Sequence, residues 1–151
     1  MNKPASLRNF LINSVAYLKR NPEQLHMFVD SGNLAGRLEN GICYQNAYTL
    51  NILVLDLTEN PATIFVPLLA WVRENQVDIR PDSINYEVDI LSNNAVDLSI
   101  TLPLTENVVV NIDNDGKYSL TYPPEPRPDY LNTYSPLDEI TGIDNRAEPS
   151  E

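Results

Sequence analysis

The residues best suited to chemistry in this chain are few, and the clearest group resembles a metal-binding loop. Asn111, Asp113, Asp115 and Gly116 follow the opening of a calcium-binding loop of the EF-hand type. The twelfth position of such a loop carries a glutamate that binds calcium through both oxygens, and here that position is Tyr122. The flanking residues have the pattern of strands, whereas the calcium loop requires helices. We therefore predict a β-hairpin turn at this point and no metal site.

Side chains that activate nucleophiles or bind transition metals are scarce. His26 is the only histidine and Cys43 the only cysteine, so a histidine triad, a multi-histidine metal site and an intrachain disulfide are all excluded. The five glycines are scattered and form no phosphate-binding loop. Paired carboxylates such as Asp138 and Glu139 have no candidate pocket around them. We predict a protein that is not an enzyme and that holds no metal or cofactor.

Composition predicts one folded domain followed by an extended segment. The chain has 151 residues, 42% of them hydrophobic, and many of its 12 prolines lie near the end. We assign residues 1–122 to an α+β domain and residues 123–151 to a proline-rich acidic C-terminal arm. No run approaches the roughly 18 apolar residues that cross a bilayer, and no signal-peptide core is visible at the start. We expect a soluble protein made inside the cell, with no membrane partner.

Two helices are predicted on the domain. Residues 4–20 carry apolar side chains at three- and four-residue steps, which places them on one helix face. Asn60-Pro61 supplies a capping side chain and a first-turn proline for a second helix through residue 75. Because Pro67 removes a helical hydrogen bond, this helix should begin later than Pro61 or kink near Pro67. Trp71 lies off the main apolar stripe, so it either caps the edge of the core or anchors an interface.

The remaining elements are predicted as strands. A short strand at 26–31 is followed by a glycine- and asparagine-rich connection at 32–41, and then by a long strand at about 42–56. Four further strands follow in an antiparallel meander, at 84–90, 96–102, 108–112 and 117–122. The fold class is therefore α+β, a mainly antiparallel sheet with two helices packed on it.

Charge is distributed unevenly along the chain. The formal net charge is −11, yet the charged side chains of the first twenty residues are all basic, and those from residue 113 onward are mostly acidic. A basic start and an acidic end can attract each other, within one chain or between neighbours. The alternative is that the acidic surface only maintains solubility. The acidic balance disfavours sequence-specific binding of nucleic acid.

With these elements in place, the chain resembles the tail-completion protein R family of contractile-tailed temperate phages. The match covers roughly residues 1–122, and no catalytic signature contributes to it. The segments that carry it are SLRNFLINSV at 6–15, NPEQLHMFVDSGNL at 21–34, AYTLNILVLD at 47–56, FVPLLAWVRENQ at 65–76, YEVDIL at 86–91 and VDLSITLPLTENVVV at 96–110.

The resemblance implies a tail-terminator-like fold and a structural virion protein that acts late in tail assembly. It would cap the head-proximal end of the tail tube and sheath and present a surface for head–tail joining. Its partners would be tail tube and sheath proteins, head-completion or connector proteins, and copies of itself in a ring, commonly a hexamer. Such a protein would be assembled in the host cytoplasm and located in the virion tail, and DNA would pass through an acidic ring without binding.

Five residues are candidates for interface contacts: Arg8, Lys19, Trp71, Tyr130 and Tyr134. The first two lie on one side of the first helix, and the tyrosines are apolar anchors in the arm. The arm is either an unstructured end or a segment that orders on a neighbouring subunit. A different class of function also fits the charge, namely a soluble acidic binding module such as an assembly chaperone or a DNA-mimicking inhibitor.

Overall fold

The computed structural model describes residues 1–39 and 41–125, and within them helices cover one face of an antiparallel sheet. The helices are α1 (Lys3–Ser14), α2 (Ala16–Arg20) and α3 (Ala62–Asn75), with a short 3-10 turn at Pro22–Gln24. The strands are β1 (Leu25–Arg37), β2 (Ile42–Leu57), β3 (Asn85–Ile90), β4 (Val96–Ile112) and β5 (Tyr118–Thr121). The predicted α+β class is confirmed.

The sheet is built around its two longest strands, β2 and β4, which pair along most of their lengths. The order is β1-β2-β4-β3, and every pairing is antiparallel. The other edge of β4 is shared, because β3 pairs with its first part and β5 with its last residues. This arrangement leaves the end of the sheet around β5 projecting beyond the part that the helices cover.

One apolar cluster joins the helices to the sheet. On β2 and β4, alternate residues from Tyr48 to Val54 and from Leu98 to Leu104 are buried, as expected for strands covered on one face. The helices contribute eight buried side chains to the same cluster, and Val15 between α1 and α2 contributes one more: Leu7, Leu11, Val15, Tyr17, Leu18, Ile64, Leu68, Trp71 and Val72. The core therefore lies between the helices and the half of the sheet that contains β3.

The single helix predicted at 4–20 is wrong in one respect, because the chain leaves helical geometry at Val15. That residue has an extended backbone (φ −108°, ψ 117°) and separates α1 from α2. The break brings the Tyr17 hydroxyl to the carbonyl oxygens of Leu55 and Asp56, at 2.9 and 2.6 Å. The pairing of β2 with β4 shifts at this point, and Asp56 has a positive φ of 52°. Tyr17 thus satisfies carbonyl groups exposed by an irregularity in the sheet.

Two strand boundaries were also predicted wrongly. The connection expected at 32–41 is mostly strand, since β1 continues to Arg37 after a register shift between Val29 and Ser31. The strands predicted at 96–102 and 108–112 are one strand that runs through Pro103. Among the described strands none pairs with the far edge of β4 next to Pro103, because β3 reaches only Thr101 and β5 starts its pairing at Val109. A residue without a backbone N–H is best tolerated at such an unpaired edge.

The second helix agrees with prediction more closely. It begins at Ala62, one residue after Pro61, and Asn60 Oδ1 accepts a hydrogen bond from the Ala62 amide at 2.9 Å. It continues through Pro67 to Asn75, so the carbonyl of Thr63 receives no amide from position 67. The residues buried by α3 are Ile64, Leu68, Trp71 and Val72.

Candidate interaction surfaces

The two basic candidates on the first helices have different surroundings. Arg8 is half-buried, and its guanidinium donates to the carbonyl oxygen of Leu25 at 2.9 Å and to that of Pro22 at 3.4 Å. It therefore ties α1 to the turn that leads into β1. Lys19 is exposed. Of the two side chains, only Lys19 keeps its charged group available to a partner.

Trp71 is part of the core and does not form a surface anchor. Its side chain is 3% exposed, and its indole Nε1 donates to Ser6 Oγ at 3.1 Å. Trp71 lies outside the apolar stripe of α3, as the sequence indicated, because it faces α1, which packs beside α3. Of the two roles considered, the structure supports core packing. The other aromatic candidates, Tyr130 and Tyr134, lie outside the described residues.

The end of the domain and the first residues of the arm return to the start of α1. The Met1 amino group donates to the Tyr122 hydroxyl at 3.1 Å, and Lys3 Nζ lies 3.5 Å from a carboxylate oxygen of Glu125. Both partners of this ion pair are largely buried, with 14% and 16% of their side chains exposed. The expected attraction between a basic start and an acidic end is present here as one specific contact. It fixes the place from which the arm leaves the domain.

A buried polar group lies directly beneath this contact. Lys3 Nζ also donates to Gln76 Oε1 at 2.8 Å, and the same oxygen accepts from the Thr105 amide at 3.0 Å. Glu106 is 6% exposed, and its carboxylate accepts hydrogen bonds from the Tyr48 hydroxyl and, at 2.7 Å, from the Asn2 amide. Gln76 therefore accepts the hydrogen bond of the Thr105 amide at the edge of β4 where none of the described strands pairs with it.

Burial changes the acidity of the ionisable groups in this part of the molecule. Burial, followed by the hydrogen bond to Glu106, raises the pKa of the Tyr48 phenol far above its usual value. Burial lowers the pKa of Lys3, although the neighbouring Glu125 opposes this effect. Burial and then the charge of Asp56 raise the pKa of Tyr17. The two phenols therefore remain protonated donors, which suits a structural role.

The calcium-like motif forms the predicted turn. Asp113 Oδ1 accepts hydrogen bonds from the amides of Asp115 and Lys117, at 2.9 and 2.8 Å, and Gly116 has a positive φ of 79°. Its carboxylate is thus used within the hairpin between β4 and β5. Across residues 1–39 and 41–125, no group of three or more histidine, cysteine or acidic side chains is placed to hold a metal ion. The helices in those ranges are too short or too polar to cross a membrane.

Among the exposed apolar side chains of the described residues, we single out two groups as patches. We name the first the wing patch; it lies on the projecting end of the sheet and consists of Leu34, Ile42, Ile112, Tyr118 and Leu120. Strand pairing places these side chains on the face that the helices cover elsewhere, since Ile42 and Leu120 both pair with Val110, and Ile112 pairs with Tyr118. Sequence periodicity predicted these strands, but it could not show that the described helices leave this part of the sheet uncovered.

The second patch lies at the other end of the molecule, and we name it the α3–β3 patch. It consists of Val66 and Leu69 on the outer side of α3 and of Tyr86 and Ile90 on β3. The Tyr86 ring contacts Phe65, with ring centroids 4.9 Å apart, and this contact links the helix to the strand. Large exposed apolar patches on small proteins commonly mark sites of protein association.

Comparisons with known proteins identify a matching family and a relative. The family model described as P2 phage tail completion protein R (GpR) matches residues 1–126. Tail completion protein R of Escherichia phage P2 is 39% identical over 137 residues, which cover 85% of this chain and 88% of that protein. No solved structure gives a significant match.

Proposed function

The chain belongs to the P2 phage tail completion protein R family, and from this premise we propose that it caps the head-proximal end of the tail tube and sheath. It is a structural protein of the phage tail and a component of the virion tail. We also propose that the protein presents the surface for head–tail joining and that its assembly takes place in the host cytoplasm. Family membership favours this function over an acidic binding module.

The observation that carries the proposal is the amount of apolar surface left exposed on a strongly charged chain. Both the wing patch and the α3–β3 patch are exposed, although the net charge is −11. A protein that works alone gains nothing from such surfaces, whereas an assembly protein needs them for contact with neighbours. The neighbours we propose are tail tube and sheath proteins, head-completion or connector proteins, and further copies of this chain.

The experiment is a tube-capping assay with purified tail tubes. Added protein is expected to bind at one end of each tube and to stop further growth, so that tube length no longer increases with the supply of tube subunits. Lys19→Glu should weaken capping without loss of folding, because the side chain is exposed. If the protein neither binds tube ends nor changes tube length, the capping function is wrong.

We propose that the capping form is a ring of copies, with six as the expected number. A net charge of −11 per copy would suit a ring through which DNA passes, since like charge keeps the nucleic acid from binding to the wall. Neutralising the acidic residues that face the channel should then slow DNA delivery. Unchanged delivery would count against this part of the proposal.

We propose that the arm contributes to joining by docking on a neighbouring subunit through Tyr130 and Tyr134. Support comes from the position of Glu125, which Lys3 holds at the edge of the domain so that the following residues leave from a fixed point. Deleting residues 126–151 should leave the domain folded and impair joining of tails to heads. Normal joining by the truncated protein would make the arm dispensable.

A further inference from the structure

We propose that copies of this chain associate head to tail, with the α3–β3 patch of one copy packed against the wing patch of the next. This inference rests on the proposed ring and names the surfaces that would build it. The occupant of each patch is a second copy of the same chain.

The patches are too far apart to be one surface. Tyr86 pairs with Ile100 near the start of β4, and Tyr118 pairs with Ile112 at its end. Twelve residues of strand at roughly 3.3 Å each separate these positions by about 40 Å. The two patches are therefore separate surfaces, and a neighbour can contact one of them without touching the other.

Each patch has about the area that one side of a stable interface requires. In the α3–β3 patch, Val66 is 68% exposed and Ile90 is 83% exposed, and in the wing patch Leu34 is 66% and Tyr118 is 68% exposed. At about 150 Å² for each large side chain, either patch presents on the order of 400 Å² of apolar surface. A standard interface buries about 800 Å² per partner, of which somewhat more than half is apolar. The two patches are therefore matched in size and chemistry.

Symmetry decides how two such patches can be used. A two-fold dimer either pairs a patch with its own counterpart, which leaves the other patch exposed, or pairs the two patches reciprocally and closes at two copies. In the proposed ring each copy instead contacts two neighbours, one through the α3–β3 patch and the other through the wing patch, and closure of the ring covers every patch. Head-to-tail contact thus accounts for both patches with one kind of interface.

Thiol cross-linking of the full chain tests the pairing. In a Cys43→Ser background, Leu69→Cys places a thiol on the α3–β3 patch, and Ile112→Cys places one on the wing patch. A bismaleimide reagent should leave each single variant monomeric, join an equimolar mixture into dimers only, and convert the double variant into a ladder of larger species. Glu87→Cys, an exposed position outside both patches, serves as the control partner for Ile112→Cys and should give no dimer above background.

A second variant separates loss of contact from loss of folding. Leu120→Asp in the Ile112→Cys chain should lower the dimer yield about tenfold or more, because an unpaired carboxylate would be buried, while circular dichroism remains unchanged. Dimers formed by either single variant alone, a mixture that stays unlinked, or a double variant that stops at doubly linked dimers would overturn the head-to-tail pairing. The tube-capping assay reads a different property, so capping without cross-links refutes only the interface, and cross-links without capping refute only the proposed function.

Discussion

Replacing Tyr48 by phenylalanine should destabilise the domain by about 2 kcal/mol, although the change removes a single oxygen atom. The Tyr48 hydroxyl donates to Glu106, a residue that is 6% exposed and whose carboxylate also accepts a hydrogen bond from the Asn2 amide. Hydrogen bonds to charged groups contribute roughly 1.5–3 kcal/mol, and a buried carboxylate that loses a donor adds a cost of its own. If Glu106 is also replaced, by methionine, no unsatisfied charge remains. The double variant should therefore be more stable than the sum of the two single losses predicts.

The same substitution should change how stability depends on pH. Because the pKa of Tyr48 is raised in the folded state, the folded protein keeps this proton at pH values where the unfolded phenol loses it. The resulting stability is fully present below about pH 10 and is lost as the pH rises above that value. The contribution of Lys3 to stability changes with pH in the opposite direction. Because the pKa of Lys3 is lowered in the folded state, stability increases as the pH rises towards about 10.5. Tyr48→Phe should thus show a shallower loss of stability above pH 10, with the Tyr17 contribution still present.

Urea unfolding followed by circular dichroism, at pH 8 and again near pH 11, measures both effects. Tyr86→Phe is the matched control, since the Tyr86 ring is exposed and the contact with Phe65 survives the change. The control should stay within about 0.5 kcal/mol of the original protein at both pH values. A Tyr48→Phe protein that also stays within that limit, or that loses stability above pH 10 as steeply as the original, would refute this account of the buried pair.

Three further predictions concern other contacts, and the first has a matched control. Arg8→Met should lower the free energy of unfolding in urea by about 1 kcal/mol, because two backbone carbonyls lose their donor. Lys19→Ala, the control, should change it by no more than about 0.5 kcal/mol, and equal effects would contradict the roles assigned to these residues. Pro67→Ala should raise the unfolding free energy by about 1–3 kcal/mol, since α3 regains a helical hydrogen bond, and a loss of stability would show that the proline is required by its surroundings. Trp71→Ala should cost about 3–5 kcal/mol, and a mild effect measured by thermal unfolding would contradict its placement in the core.

The parts of the fold that could be predicted are those in which local pattern and tertiary structure agree. The alternation in β2 and the Asn60-Pro61 start of α3 gave the correct elements within one or two residues. Prediction failed where a distant segment decided the outcome. Pro103 normally ends a strand, yet it is accommodated because the adjacent edge of β4 is unpaired over that stretch.

The candidate site was predicted less well, for a related reason. Trp71 lies off the apolar stripe of its own helix and is buried only because α1 lies beside it, which no helical period can show. Glu106 left a possible signal, since it interrupts a row of buried apolar residues on β4. Its partner Tyr48 is 58 positions away, however, and strand register alone brings the two together. The exposed patches depend on which parts of the sheet the helices cover, and only the tertiary structure shows this.

The pairing of β2 with β4 also has a consequence for the speed of folding. The two strands form the longest pairing in the sheet, although about 40 to 70 residues separate their paired positions. Closing so large a loop is entropically costly before any contact is gained, and chains dominated by such pairings fold slowly. The hairpin of β1 with β2 can form early, but the core of this hairpin stays open until β4 arrives. We therefore expect folding of the domain to be limited by docking of β4, on a timescale of milliseconds to seconds.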